Sequence, residues 1–165
     1  MIMIPANLRA SYGHDVECSW LVLEAARALG QSSDLHRNWA EALCSYSMKH
    51  GYDRDHGGFF YTGSLGKAAE DTRKEWWVQA EALVAMLELY RLTKKPEYYR
   101  AFSQTLDFVE KHQVARDGGW WATCDAAGKP TVDQRSSPWQ GAYHSGRAMI
   151  LCSKLLEELA GKNKP

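Results

Sequence analysis

Trp76-Trp77-Val78-Gln79-Ala80-Glu81-Ala82-Leu83-Val84-Ala85-Met86-Leu87-Glu88-Leu89-Tyr90-Arg91-Leu92 is apolar most of the way round a helix. A helix of that kind is covered on most of its sides. Residues 15–29 read the same way, with Val16, Cys18, Trp20, Leu21, Val22, Leu23, Ala25, Ala26, Ala28 and Leu29, and Gly30 stops them. Each is followed by a helix with a one-sided stripe. After the cap Ser33 come Leu35, Trp39, Leu43 and Tyr46; after Pro96 come Tyr99, Phe102, Leu106 and Val109. Trp20 and Trp39 fall on the core faces. A third unit starts near Ala142 and runs through Met149, Ile150, Leu151, Leu155, Leu156 and Leu159.

The loops repeat as well. Asp53-Arg54-Asp55-His56-Gly57-Gly58-Phe59-Phe60 and Arg116-Asp117-Gly118-Gly119-Trp120-Trp121 each place an acidic turn and Gly-Gly before paired aromatics, and Gly58 and Gly119 lie 61 positions apart. The glycine pairs and following aromatics read as short strands or hairpins. The unit is therefore inner helix, outer helix, hairpin loop, twice over and then half again. Alternating all-round and one-sided helices imply two concentric layers, an all-α toroid of helical hairpins. Five helices do not close such a toroid. The open arc leaves apolar faces that call for an amino-terminal half or self-association.

Composition narrows the function classes. Among 165 residues, 20 Lys+Arg balance 20 Asp+Glu, which gives no case for a nucleic-acid partner. At 45% hydrophobic and 24% charged, the chain reads as one folded domain over 1–165. No apolar run is long enough to span a membrane, and the start lacks signal-peptide character, so a cytoplasmic location is expected. Cys18, Cys44, Cys124 and Cys152 form no CxxC pair and read as reduced thiols.

The chemistry gathers where the inner helices begin: Ser11-Tyr12-Gly13-His14-Asp15-Val16-Glu17, Asp71-Thr72-Arg73-Lys74-Glu75-Trp76-Trp77, and Pro138-Trp139-Gln140-Gly141-Ala142-Tyr143-His144-Ser145-Gly146-Arg147. Parallel inner helices put all three starts at one end of the toroid. Two histidines there can work on opposite sides of one carbon, one removing a proton and one returning it. No glycosidase-type carboxylate pair, phosphate loop or nucleophile elbow emerges. His14 and Cys18 lack the further ligands a metal needs, so no metal is expected.

These three segments, taken as Ser11–Leu21, Asp71–Ala82 and Pro138–Ala148, resemble the N-acylglucosamine 2-epimerase superfamily, and most of all its cellobiose 2-epimerase branch. The resemblance implies the carboxy-terminal portion of an (α/α)6 barrel, about five of twelve helices. It implies epimerisation at C2 of an aldose or a β-1,4-linked disaccharide through a cis-enediolate, without a cofactor. His14 and His144 match the family's acid/base histidines, and Glu17 a carboxylate that supports them. Trp76, Trp77 and Trp139 match aromatics of the sugar subsites. Arg147 follows the second histidine in the family pattern, and Tyr12 is expected to bind substrate. Ser145 replaces a common Asn, and Gly141-Ala142 a common Cys-Pro, so a monosaccharide substrate stays open. So do an aldose–ketose isomerase and a non-catalytic sugar-binding fragment. The arginine and third histidine that the family's amino-terminal half supplies have no counterpart here, and the chain alone is expected to be weakly active or inactive.

Overall fold

A computed structural model describes residues 8–161. The helices are α1 (Tyr12–Ala28), α2 (Asp34–His50), α3 (Trp76–Thr93), α4 (Pro96–Phe108) and α5 (Ala142–Leu159). Five short strands accompany them, β1 (Arg9–Ser11) ahead of α1 and the rest between helices: β2 (Thr62–Ser64), β3 (Ala69–Asp71), β4 (Lys74–Glu75) and β5 (Thr123–Cys124). All five helices fall where the sequence pattern puts them. β1 pairs antiparallel with β2, and β2 with β3, while β4 pairs with β5. A π-helical turn at Val109–Gln113 ends α4, which the pattern gave no sign of.

The layering is as expected. α3 is the centre, packed on α1, α4 and α5, while α2 backs α1. Every residue of α3 from Val78 to Leu89 is buried. Each of Leu83, Met86, Leu87 and Leu89 there contributes roughly 1.5–3 kcal/mol of transfer free energy. The loop glycines serve their turns: Gly58 and its repeat mate Gly119 both take positive φ, 82° and 75°.

The other inner helices depart from the all-round pattern. α1 buries only one side, leaving Leu21 38% and Leu29 71% exposed. α5 buries only Ala148 and Cys152 and exposes Tyr143, Met149 and Ile150. Both stand at an edge of the arc, with no further helix beside them among the described residues. Trp39 is likewise 42% exposed rather than core, because its side of α2 faces that edge. All four cysteines are free thiols. Cys18 is exposed, while burial pushes the Cys44 and Cys152 thiols up to about 12.

Lys74 was unremarkable in sequence and is fully buried in the structure. Its ammonium donates to Asp53 Oδ2 at 2.8 Å, to the Gly57 carbonyl at 2.7 Å and to the Ala126 carbonyl at 2.9 Å, and lies 4.1 Å from the Phe108 ring centre. It ties both long loops to the strand that leads into α3. Burial pulls the Lys74 pKa down against the pull of Asp53. Burial pushes the Asp53 carboxyl up, but the hydrogen bond and charge of Lys74 and the backbone N–H groups of His56 and Asp55 together outweigh this and hold it below the usual range. An Asp lowered in the fold stabilises above its unfolded pKa of about 3.9, and that contribution fades as pH falls through the folded value. Asp53→Ala strands a buried charge and is expected to cost about 3–5 kcal/mol, read as a lower urea midpoint. Asp53→Leu with Lys74→Met is expected to recover most of that loss; a single variant as stable as wild type would show the pair to be idle.

Candidate active site

The starts of α1, α3 and α5 converge as the repeat register requires. His14, Glu17, Trp76, Trp77, Trp139 and His144 line one open pocket of about 280 Å³. His14 sits one turn ahead of Cys18 on the lumen side of α1, and its Nδ1 lies 2.6 Å from Ser11 Oγ at the end of β1. A hydroxyl donates or accepts, so this contact serves either tautomer of His14. The Trp77 indole packs against both imidazoles, 4.8 Å from the His14 ring and 5.7 Å from the His144 ring. Trp76 meets His144 edge-on at 6.5 Å. Trp139 is 86% exposed at the mouth, on the loop before α5.

The charged centre is a residue the sequence reading did not single out. Glu81, 1% exposed, stands inside the apolar run of α3. Its Oε1 lies 2.5 Å from His144 Nδ1 and accepts from Arg147 Nη2 at 2.6 Å; its Oε2 accepts from Trp20 Nε1 at 2.8 Å. An ionised carboxylate is acceptor-only, so His144 Nδ1 carries the hydrogen, and in the neutral imidazole Nε2 is then the basic nitrogen. Arg147 also reaches Glu17 Oε1 at 3.3 Å and lies over the rings of Trp20 and Tyr143, 4.7 and 4.1 Å from their centres. Burial pulls the Arg147 pKa down, but Glu81 and Tyr143 together outweigh it and the guanidinium ends raised, so it stays charged. The signal for Glu81 was present: an acid inside a fully covered helix is seldom buried without a partner.

Of the sequence-predicted site residues, His14, Glu17, Trp76, Trp77, Trp139, His144 and Arg147 come together. Tyr12 does not, and this is a correction. It is 0% exposed, with its ring against Gly51 and its hydroxyl against Gly63, where any side chain would collide with it. Helix positions two apart point about 200° apart, so His14 in the lumen turns Tyr12 toward the layer behind. Glu17, Glu81 and His144 place donor atoms within 4.8 Å of one another, close enough for a cation. The Arg147 guanidinium already fills that role between the two carboxylates, so the donor set suits an internal ion pair better than a metal.

The N-acylglucosamine 2-epimerase (GlcNAc 2-epimerase) family pattern matches residues 7–148. N-acylglucosamine 2-epimerase of Bos taurus is 27% identical over 158 residues, 93% of this chain and 37% of its own. Cellobiose 2-epimerase of Bacteroides fragilis is 31% identical, over 90% of this chain and 38% of its own. A crystal structure of D-mannose isomerase superposes with a TM-score of 0.79 at 25% identity, covering 90% of this chain and 37% of that one. The chain thus spans less than two-fifths of the length of these relatives, and its five helices form a partial (α/α)6 barrel.

Nitrogen NMR of labelled histidine tests the central contact. His144 is expected as the Nδ1–H tautomer, and Glu81→Gln should shift it toward a tautomer mixture; an Nε2–H signal in the unaltered chain would reverse the assignment of its free nitrogen.

Proposed function

The chain belongs to the N-acylglucosamine 2-epimerase family, and from that premise we propose that it is the carboxy-terminal portion of a sugar 2-epimerase carrying both acid/base histidines. The observation that carries the reading is one pocket in which two imidazoles pack on the same indole, each with Nδ1 held from behind. That arrangement leaves two Nε2 atoms for a single substrate carbon.

In the proposed reaction, His144 Nε2 takes the C2 proton of an open-chain aldose, and the C2 electron pair becomes the C1–C2 double bond of a cis-enediolate. The C1 oxygen carries the charge. The intermediate turns, and His14 Nε2–H returns a proton to the other face of C2. In the reverse direction the histidines exchange roles. The Glu81 carboxylate stabilises the His144 imidazolium as it forms and holds its ring by the Nδ1 hydrogen bond. Glu17 and Arg147 continue that network. Trp76, Trp77 and Trp139 offer flat faces to the sugar's C–H surfaces.

An aldose–ketose isomerase is the second reading, favoured by the likeness to D-mannose isomerase. The same two histidines would serve, with the proton returned at C1. The cellobiose and N-acylglucosamine relatives support a disaccharide or an N-acyl sugar as substrate, and we hold both open beside free mannose and glucose. No organic cofactor is needed for either reaction. The exposed edges of α1 and α5 are where we place an amino-terminal half or a second copy. No helix of the described residues is long and apolar enough to cross a membrane. We assign the protein to carbohydrate metabolism in the cytoplasm, a compartment that suits its four free thiols.

Proton NMR in deuterated water, with cellobiose, mannose, glucose and N-acetylglucosamine, tests the reading on this chain alone and joined to an amino-terminal half. The joined protein is expected to lose the C2 proton signal of one sugar as its epimer appears, and a ketose would indicate the isomerase. His14→Ala and His144→Ala should each slow exchange by at least about a hundredfold. A folded joined protein that binds sugar without exchanging any proton would leave a binding fragment as the better account.

A further inference from the structure

Gly13 is the second residue of α1, where alanine is ordinarily the better helix former. The backbone gives no reason for glycine, since Gly13 is not among the positive-φ residues. Space does. A Cβ at Gly13 would lie 2.5 and 2.6 Å from two atoms at the edge of the six-membered ring of Trp77, and 2.7 Å from a Val78 methyl. Val78 is fully buried and has no room to retreat, while Trp77 is partly buried against the core and borders the open pocket, so the indole is the group that would have to move. The indole is further fixed edge-on by Tyr61, ring centres 6.4 Å apart. Among the described residues, Trp77 is the one ring that packs against both His14 and His144.

We propose that Gly13 is a positioning residue of this site: the space left by its missing side chain seats the Trp77 indole, and the seated indole sets the spacing of the His14 and His144 imidazoles. A side chain at position 13 drives the indole off its seat, and both imidazoles lose the surface they rest on. The catalytic consequence rests on the epimerase reading above; the seating itself does not. Proton transfer to and from one carbon needs two nitrogens at fixed separation, and displacement by about 1 Å is enough to cost about a hundredfold in rate.

The experiment compares the unaltered chain with Gly13→Ala, Trp77→Phe and the double variant. It reads the imidazole Cε1–H shifts of His14 and His144, the melting temperature, and kcat and KM for C2 exchange in the joined protein. Gly13→Ala is expected to melt lower despite its better helix propensity. It should change both imidazole shifts together, through loss of the indole ring current, and lower kcat about a hundredfold with a smaller change in KM. Phe lacks the ring edge that the new Cβ would meet, so the double variant is expected to melt above Gly13→Ala. That comparison also decides the matter if Gly13→Ala does not fold. Unchanged imidazole shifts in Gly13→Ala, or a double variant melting no higher than Gly13→Ala, would overturn the proposal. Shifts that move as expected in a joined protein with no exchange in any variant would sink the epimerase reading and leave the seating intact.

Discussion

A carboxylate in the middle of an apolar helix must be satisfied by its neighbours, and Glu81 makes that demand on the whole molecule. Leaving such a group unpaired costs several kcal/mol, so the fold and the site are joined at this point. The partners come from both flanking helices: Trp20 from α1, and His144 and Arg147 from α5. Three inner helices are thereby locked in azimuth as well as packed. The same contacts orient a histidine and keep an arginine beside it charged. α3 meets both neighbours and orients the His144 imidazole with one side chain.

The repeat shows how that arrangement is built. Trp20 and Glu81 are 61 positions apart, as are Arg27 and Glu88, which also form a pair. That is the spacing of the two Gly-Gly loops. Equivalent positions on successive inner helices thus meet each other, which is how a toroid made of similar units propagates. At the far end of α3, Glu88 is bound by Arg27 and Arg91, and these outweigh burial to hold its carboxyl below the usual range. One end of the ring has turned its buried acid into a structural pair. The other has turned it toward a histidine.

Periodicity made the helices legible because burial is written in it. α3 is apolar all round and buried all round; α2 and α4 carry stripes and lie outside. The pocket was legible for a different reason: parallel inner helices bring their starts together, and the starts carried the histidines and tryptophans. What stayed hidden was whatever periodicity treats as interchangeable. Tyr12 and His14 are neighbours in one motif, yet helix geometry sends one to the core and the other to the lumen. Lys74 sits among charged residues and reads as surface, but three acceptors and two aromatic faces await it inside. Glu81 reads as one polar interruption in an apolar run. Its importance lies in partners 61 residues before it and 63 and 66 after it, which no local pattern contains.

The edges explain why a site this well braced is still open. An apolar pattern all round a helix is a statement about neighbours, and α1 carries that pattern while burying only the sides that face α2 and α3. His14 lies on α1 and is exposed, whereas His144, backed by Glu81 and flanked by both tryptophans, is half-buried. The two imidazoles therefore sit in unequal dielectric surroundings, although the proposed reaction asks the same proton transfer of each. Covering the free edge of α1 would remove water from the His14 side and strengthen every charge interaction in the lumen. The helix edge that completes the packing and one histidine of the proposed proton transfer are on the same element. For that reason closure of the ring and activity of the site are expected to arrive together.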